Sequence, residues 1–185
     1  MGYVDTNGDS WVQLTIPAQE YVVYSTACHD GGGGGGSGIQ DGGTYRITNV
    51  NSGKALDVEG GTGATGNGED VHQWDYLGNA NQHWTAEATG DGYYHLTPTH
   101  SVKCLDVSGG TSATQDGANV HQWDYFGNSN QQWAIEGLGG GEYAIKARHS
   151  GRYLDVSGYS TDNGATVHQW DWHGGDNQRW TFEQV

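Results

Sequence analysis

Three times the chain places a carboxylate, an imidazole, an indole and a carboxamide at matching intervals. Asp57, Asp106 and Asp155 stand in Leu-Asp-Val triplets. His72-Gln73-Trp74-Asp75, His121-Gln122-Trp123-Asp124 and His168-Gln169-Trp170-Asp171 follow them, and Asn81-Gln82-His83-Trp84, Asn130-Gln131-Gln132-Trp133 and Asn177-Gln178-Arg179-Trp180 close each set. Such a set can accept hydrogen bonds at its carboxylate, offer a flat ring for stacking and donate from its amide. Metal chelation suits it poorly, because His72 and Asp75 are three apart on an extended segment and point to opposite faces. Hydrolysis by paired carboxylates also suits it poorly. A catalytic pair is normally unique within a fold, whereas here every group occurs three times. The expectation is a binding protein with no catalytic residue, cofactor or metal.

The closing tryptophans at 84, 133 and 180 lie 49 and 47 residues apart, a period that marks a repeated supersecondary unit. Upstream, Tyr45-x-Ile47, Tyr94-x-Leu96 and Tyr143-x-Ile145 open the units, which span about residues 42–90, 91–140 and 141–185. Apolar residues recur at period two between clusters of Gly, Asn, Asp and Ser, so each unit reads as about four short strands joined by turns. Alternation puts His72 and Trp74 on one face of their strand and Val71 and Gln73 on the other. Gln73, Gln122 and Gln169 then face inward and have to find backbone partners.

The chain has 185 residues, with 33 Gly, 2 Pro, 8 Trp and 11 Tyr, a composition that suits an all-β domain filled by aromatic bodies. Its net charge of −15 excludes a partner bound through phosphates. No apolar run of about 18 residues exists to cross a membrane. Cys28 and Cys104 either stay free thiols, the simpler reading, or form a bridge. Residues 1–30 lie outside the repeat. Trp11–Ile16 and Tyr21–Tyr24 read as the strands of a hairpin, and Asp5–Asp9 as a hairpin turn rather than a calcium loop, since Ile16 stands where the closing Glu should be. Gly31–Gly36 begins a flexible linker over 31–41.

Leu-Asp-Val and Gln-x-Trp, each in three in-register copies over about residues 42–185, resemble the ricin-type β-trefoil lectins, also classed as family 13 carbohydrate-binding modules. The resemblance implies a six-stranded barrel capped by three hairpins, with Trp84, Trp133 and Trp180 in its core. It also implies one sugar pocket per repeat. Asp57, Asp106 and Asp155 match the carboxylate that accepts from two sugar hydroxyls, and Trp74, Trp123 and Trp170 match the aromatic platform. His72, His121 and His168 match the polar group before it. Asn81, Asn130 and Asn177 match the amide, with Gln82, Gln131 and Gln178 bracing the site. His stands where the family more often has Gln, which leaves the choice among galactose-, xylose-, glucose- and mannose-type glycans open. The three Asp are expected at the surface, so that replacing them leaves the melting temperature little altered. Asp75, Asp124 and Asp171 are expected to stabilise turns.

The segment before the linker resembles the last strands of the small β-domain that follows the catalytic barrel in α-amylase-like glycoside hydrolases. That resemblance implies a secreted polysaccharide-degrading enzyme as parent, carrying a monomeric binding module. A stand-alone glycosidase and a protein-interaction or inhibitor trefoil are the alternatives. The repeats are not equivalent. Glu59 follows the first Leu-Asp-Val where Ser108 and Ser157 follow the others, and Trp172-His173 replaces Tyr76-Leu77 and Tyr125-Phe126.

Overall fold

The computed structural model describes residues 38–185 together with the strands Tyr3–Val4 (β1) and Ser10–Trp11 (β2). The chain divides into two units, Met1–Gly33 and Gly34–Val185, and the threefold repeat lies in the second. In the first unit β1 and β2 pair antiparallel, Tyr3 opposite Trp11, and so flank the stretch expected to turn a hairpin. The predicted strand Tyr21–Tyr24, the Trp11–Ile16 strand beyond Trp11, the linker over 31–37 and Cys28 lie outside the described residues.

Each repeat forms four strands. The first contains β3 (Gly43–Asn49), β4 (Ala55–Val58), β5 (Val71–Trp74) and β6 (His83–Ala88). The second contains β7 (Tyr94–Pro98), β8 (Cys104–Val107), β9 (Val120–Trp123) and β10 (Trp133–Gly139). The third contains β11 (Glu142–Ala147), β12 (Tyr153–Val156), β13 (Ala165–Trp170) and β14 (Trp180–Gln184). The outer strands of the repeats close a ring of antiparallel neighbours, β3–β6–β7–β10–β11–β14 and back to β3. The inner strands pair as hairpins, β4–β5, β8–β9 and β12–β13. A six-stranded barrel with three hairpins is the expected β-trefoil, and closure leaves the barrel no free edge.

Trp84, Trp133 and Trp180 are fully buried, and each indole Nε1 donates to a hairpin carbonyl: Leu56 O at 2.9 Å, Leu105 O at 3.0 Å and Leu154 O at 3.0 Å. Each Trp thus ties its barrel strand to its own hairpin while filling the core, which answers the need of a buried N–H for a partner. Around them pack Ile47, Leu96 and Ile145, with Val58, Val107 and Val156 from the hairpins. Among the described residues Cys104 is a free, buried thiol whose Sγ lies 3.3 Å from Trp123 O, and burial pushes its pKa well above the ordinary thiol range.

The inward glutamines find backbone partners across the seams between repeats. Gln73 Nε2 donates to Ser160 O and Asp162 O of repeat 3; Gln122 Nε2 to Ala64 O and Gly66 O of repeat 1; Gln169 Nε2 to Ala113 O and Gln115 O of repeat 2. Their Oε1 atoms accept from Ser52, Ser101 and Ser150 at 2.6–2.7 Å. Every lobe is therefore stapled to the one before it, and repeat 3 closes the circle onto repeat 1. Gln73→Leu keeps the volume but orphans the Ser52 hydroxyl and two carbonyls, so it should lower stability by about 1–3 kcal/mol. Chemical denaturation checks this, and a loss below about 0.5 kcal/mol would show that the amide does not hold the seam.

Asp75, Asp124 and Asp171 sit at these seams, where they hold corners. Asp75 accepts from Lys54 Nζ at 2.6 Å and from Asn163 Nδ2 at 2.8 Å, and its N–H donates to Asn163 Oδ1. Asp124 does the same with Lys103 and Asn67. In the third seam Asp116 replaces the Asn, and Arg152 replaces the Lys. The planar guanidinium contacts Asp116 and Asp171 together, which one ammonium could not do with the same geometry. Hydrogen bonds from Lys54 and then Asn163 hold Asp75 below the ordinary 3.8, and those from Lys103 and then Asn67 do so for Asp124. As pH falls the unfolded chain takes up these protons first. Their stabilisation is thus present above about pH 4 and lost as pH drops through the folded values. A melting curve taken at stepwise lower pH should show the decline beginning near pH 4. It should be shallower in a Lys54→Met, Lys103→Met variant, and an unchanged slope would remove these corners from the account.

Candidate functional site

The hairpin register brings the repeated polar groups together. Asp57 lies opposite His72, Asp106 opposite His121 and Asp155 opposite His168. In each pair a histidine Nε2–H donates to Oδ1 at 3.0 Å, while the Asn of the single-turn 3-10 helix that follows donates Nδ2 to Oδ2 at 2.9–3.0 Å. Each histidine ring stacks on its tryptophan with centroids 5.2–5.4 Å apart and 24–25° between planes. The platforms Trp74, Trp123 and Trp170 remain 37–40% exposed. Asp57, His72, Trp74 and Asn81 line one cavity of about 330 Å³; Asp106, His121, Trp123 and Asn130 line a second of about 220 Å³; Asp155, His168, Trp170 and Asn177 line a third of about 380 Å³.

Placement of the carboxylates corrects the sequence expectation. Asp57, Asp106 and Asp155 are only 3–5% exposed, not surface residues. The histidine and asparagine donors that the register supplies from two directions make burial of a charge tolerable. The carboxylates are therefore part of the scaffold as well as of the cavity. Asn81, Asn130 and Asn177 are 1–3% exposed, and their Oδ1 atoms make no hydrogen bond among the described residues.

Gln82, Gln131 and Gln178 brace rather than face the cavities. Each is 0–1% exposed, accepts at Oε1 from Leu77, Phe126 or His173 N, and donates from Nε2 to Asp75, Asp124 or Asp171 O. Gln131 lines its cavity, but both ends of its amide are spent on the loop. Among the described residues no group of His, Cys, Asp and Glu is placed to hold a metal ion.

The cavities differ along their rims at Glu59, Leu77, Phe126 and His173, which the sequence sets apart, and at Tyr159, which was not read from it. Glu59 and Leu77 line the first, Phe126 the second, and His173 with Tyr159 the third. Tyr159 has φ 54 where its counterparts are Gly61 and Gly110, a left-handed backbone that favours glycine. Its hydroxyl lies 3.0 Å from His173 Nδ1, whose Nε2 lies 3.2 Å from Asp155 Oδ2. Gly175 stands where Asn79 and Asn128 line the other cavities, and a Cβ there would collide with the Tyr159 hydroxyl. Tyr159, His173 and Gly175 are thus one coupled replacement. The signal was present in Trp172-His173, but the Tyr and Gly belong to loops with no motif of their own.

A carboxylate has about four lone-pair directions. Protein donors use two of them at Asp57 and Asp106 and three at Asp155. The third cavity therefore has one acceptor direction fewer for a ligand, although it is the largest.

Several solved structures resemble this chain. A designed threefold-symmetric protein, ThreeFoil, is 47% identical with a TM-score of 0.74 over 77% of this chain and 99% of that one. An exo-β-1,3-galactanase from Clostridium thermocellum is 35% identical with a TM-score of 0.73 over 80% of this chain and 31% of that one. The ricin B-like lectin of Macrolepiota procera, solved with lactose, is 26% identical with a TM-score of 0.68 over 80% of this chain and 99% of that one. No curated protein sequence matches. The ricin-type β-trefoil lectin domain-like family matches residues 17–123 and 129–185. With the barrel, the three hairpins and the repeated indole-to-carbonyl ties in place, this match means that the chain belongs to the ricin-type β-trefoil lectin domain-like family.

Proposed function

We propose that residues 42–185 form a non-catalytic lectin module with up to three sugar pockets, which holds a secreted polysaccharide-degrading enzyme to its substrate. The observation that carries the sugar reading is the threefold convergence of a buried Asp, its histidine and asparagine donors and an exposed Trp face in one cavity. A pyranose presents hydroxyls at its edge and a patch of C–H bonds on its face. The free lone pairs of Asp57 or Asp106 suit the first, and the indole suits the second. Asp57, Trp74, Asn81 and their counterparts are the proposed contacts; His72, His121 and His168 orient the carboxylate, and Gln82, Gln131 and Gln178 hold the loop.

A lactose complex of one similar protein and a match to 31% of a galactanase chain support a galactose-type ligand and an enzyme partner. The glycosidase alternative loses its second carboxylate in two of the three cavities, which are lined by a single one each. A pocket of this kind holds one sugar at about millimolar strength. Three on one rigid body gain on the order of a hundredfold on a polymer. A glycan array on the folded chain, followed by tryptophan fluorescence titration of the hits, tests the reading. Saturable binding with a shifted indole signal is expected; a folded chain that binds no glycan overturns it.

A further inference from the structure

Resting on that reading, we propose that the first pocket takes an amino sugar carrying a free ammonium group, the deacetylated hexosamine unit of a cationic glycan. Three observations converge on it. Glu59 lines the cavity beside Asp57, and among the described residues its carboxylate has no hydrogen-bond or ion-pair partner. Asn81 lines the same cavity while 3% exposed, and its sealed Oδ1, like those of Asn130 and Asn177, has no hydrogen-bond partner among the described residues. The open face of Trp74 completes the wall, and an indole face attracts a cation.

Glu59 and Asp57 ask for hydrogen-bond donors and for positive charge. A hexosamine with a free amine supplies three N–H donors on a cation next to its ring hydroxyls. Acetylation removes the charge and leaves one N–H. Uronates and sulfated sugars meet the opposite field, since no Lys or Arg lines any of the three cavities and the chain carries −15. The sister pockets serve as controls within the same molecule, because Ser108 and Ser157 replace Glu59.

A Trp123→Ala, Trp170→Ala variant leaves the first platform alone and makes the test specific to it. Glucosamine and galactosamine are titrated into it by calorimetry beside their N-acetylated forms and the neutral parent sugars. The free amines should bind about twofold to fivefold tighter than the parents at about 0.01 M salt, the range of an exposed ion pair. The advantage should shrink at about 0.15 M salt and collapse towards one when Glu59→Gln is added. Neutral sugars binding as well as their amines, or an advantage that survives Glu59→Gln, would overturn the amino-sugar assignment while leaving the lectin reading intact. Failure of every sugar to bind would overturn both.

Discussion

Changing Asp57, Asp106 and Asp155 together to Asn should abolish retention on an immobilised polysaccharide that the unaltered chain binds, with the fold retained. Asn keeps an acceptor for the neighbouring Asn Nδ2 and fits the same space, but removes the charge. A hydrogen bond to a charged group contributes about 1.5–3 kcal/mol, so each pocket should lose about tenfold to a hundredfold. From a millimolar start that leaves nothing measurable for one sugar, and the avidity of three sites vanishes with it. Each single change should weaken polymer binding several-fold. Ala in place of Asn is the harsher change, because the carboxylates are 3–5% exposed and their removal strands a buried amide. About 1–3 kcal/mol of stability per site should go with it. If the triple Asn variant is retained as the unaltered chain is, the pockets are not where the glycan binds.

Trp133→Ala should cost about 3–5 kcal/mol of stability, the usual result of emptying a core site of this size. Trp133 is fully buried, and its loss also orphans Leu105 O. The melting temperature should fall by roughly 6–20 °C in a chain of this length. Trp123→Ala, in the same repeat, should behave oppositely, since its ring is 37% exposed and forms a cavity wall: little change in melting, and loss of binding in the second lobe. Two indoles of one repeat would then separate folding from recognition. Equal destabilisation by both changes would refute that division.

The three-copy motifs made the barrel, the hairpins and the buried tryptophans legible, because a repeat that cannot bury its own apolar face must do so against its sisters. Strand alternation sufficed to put Gln73 inside and His72 beside Trp74. It did not show that Asp57 is buried. That depends on Asn81 Nδ2 and His72 Nε2 reaching it from two directions, a matter of hairpin register and of a single helical turn rather than of local pattern. The serines that cap the glutamines, Ser52, Ser101 and Ser150, recur at 49-residue spacing and could have been found by it. Tyr159 and Gly175 could not, because each makes sense only once the other's atoms are placed.

The seams accept through backbone carbonyls: Ala64 and Gly66, Ala113 and Gln115, Ser160 and Asp162. A carbonyl is the same atom whatever side chain stands beside it, so away from the corner residues Asn67, Asp116 and Asn163 these loops can change residue type as long as they keep their path. Just before those carbonyls the same loops carry the rim positions Glu59, Gly61, Gly110 and Tyr159. Closure of the ring is in this way insulated from the choice of ligand. A chain built so can diversify one pocket at a time, by drift or in a library, without renegotiating the joints that keep three lobes in one body.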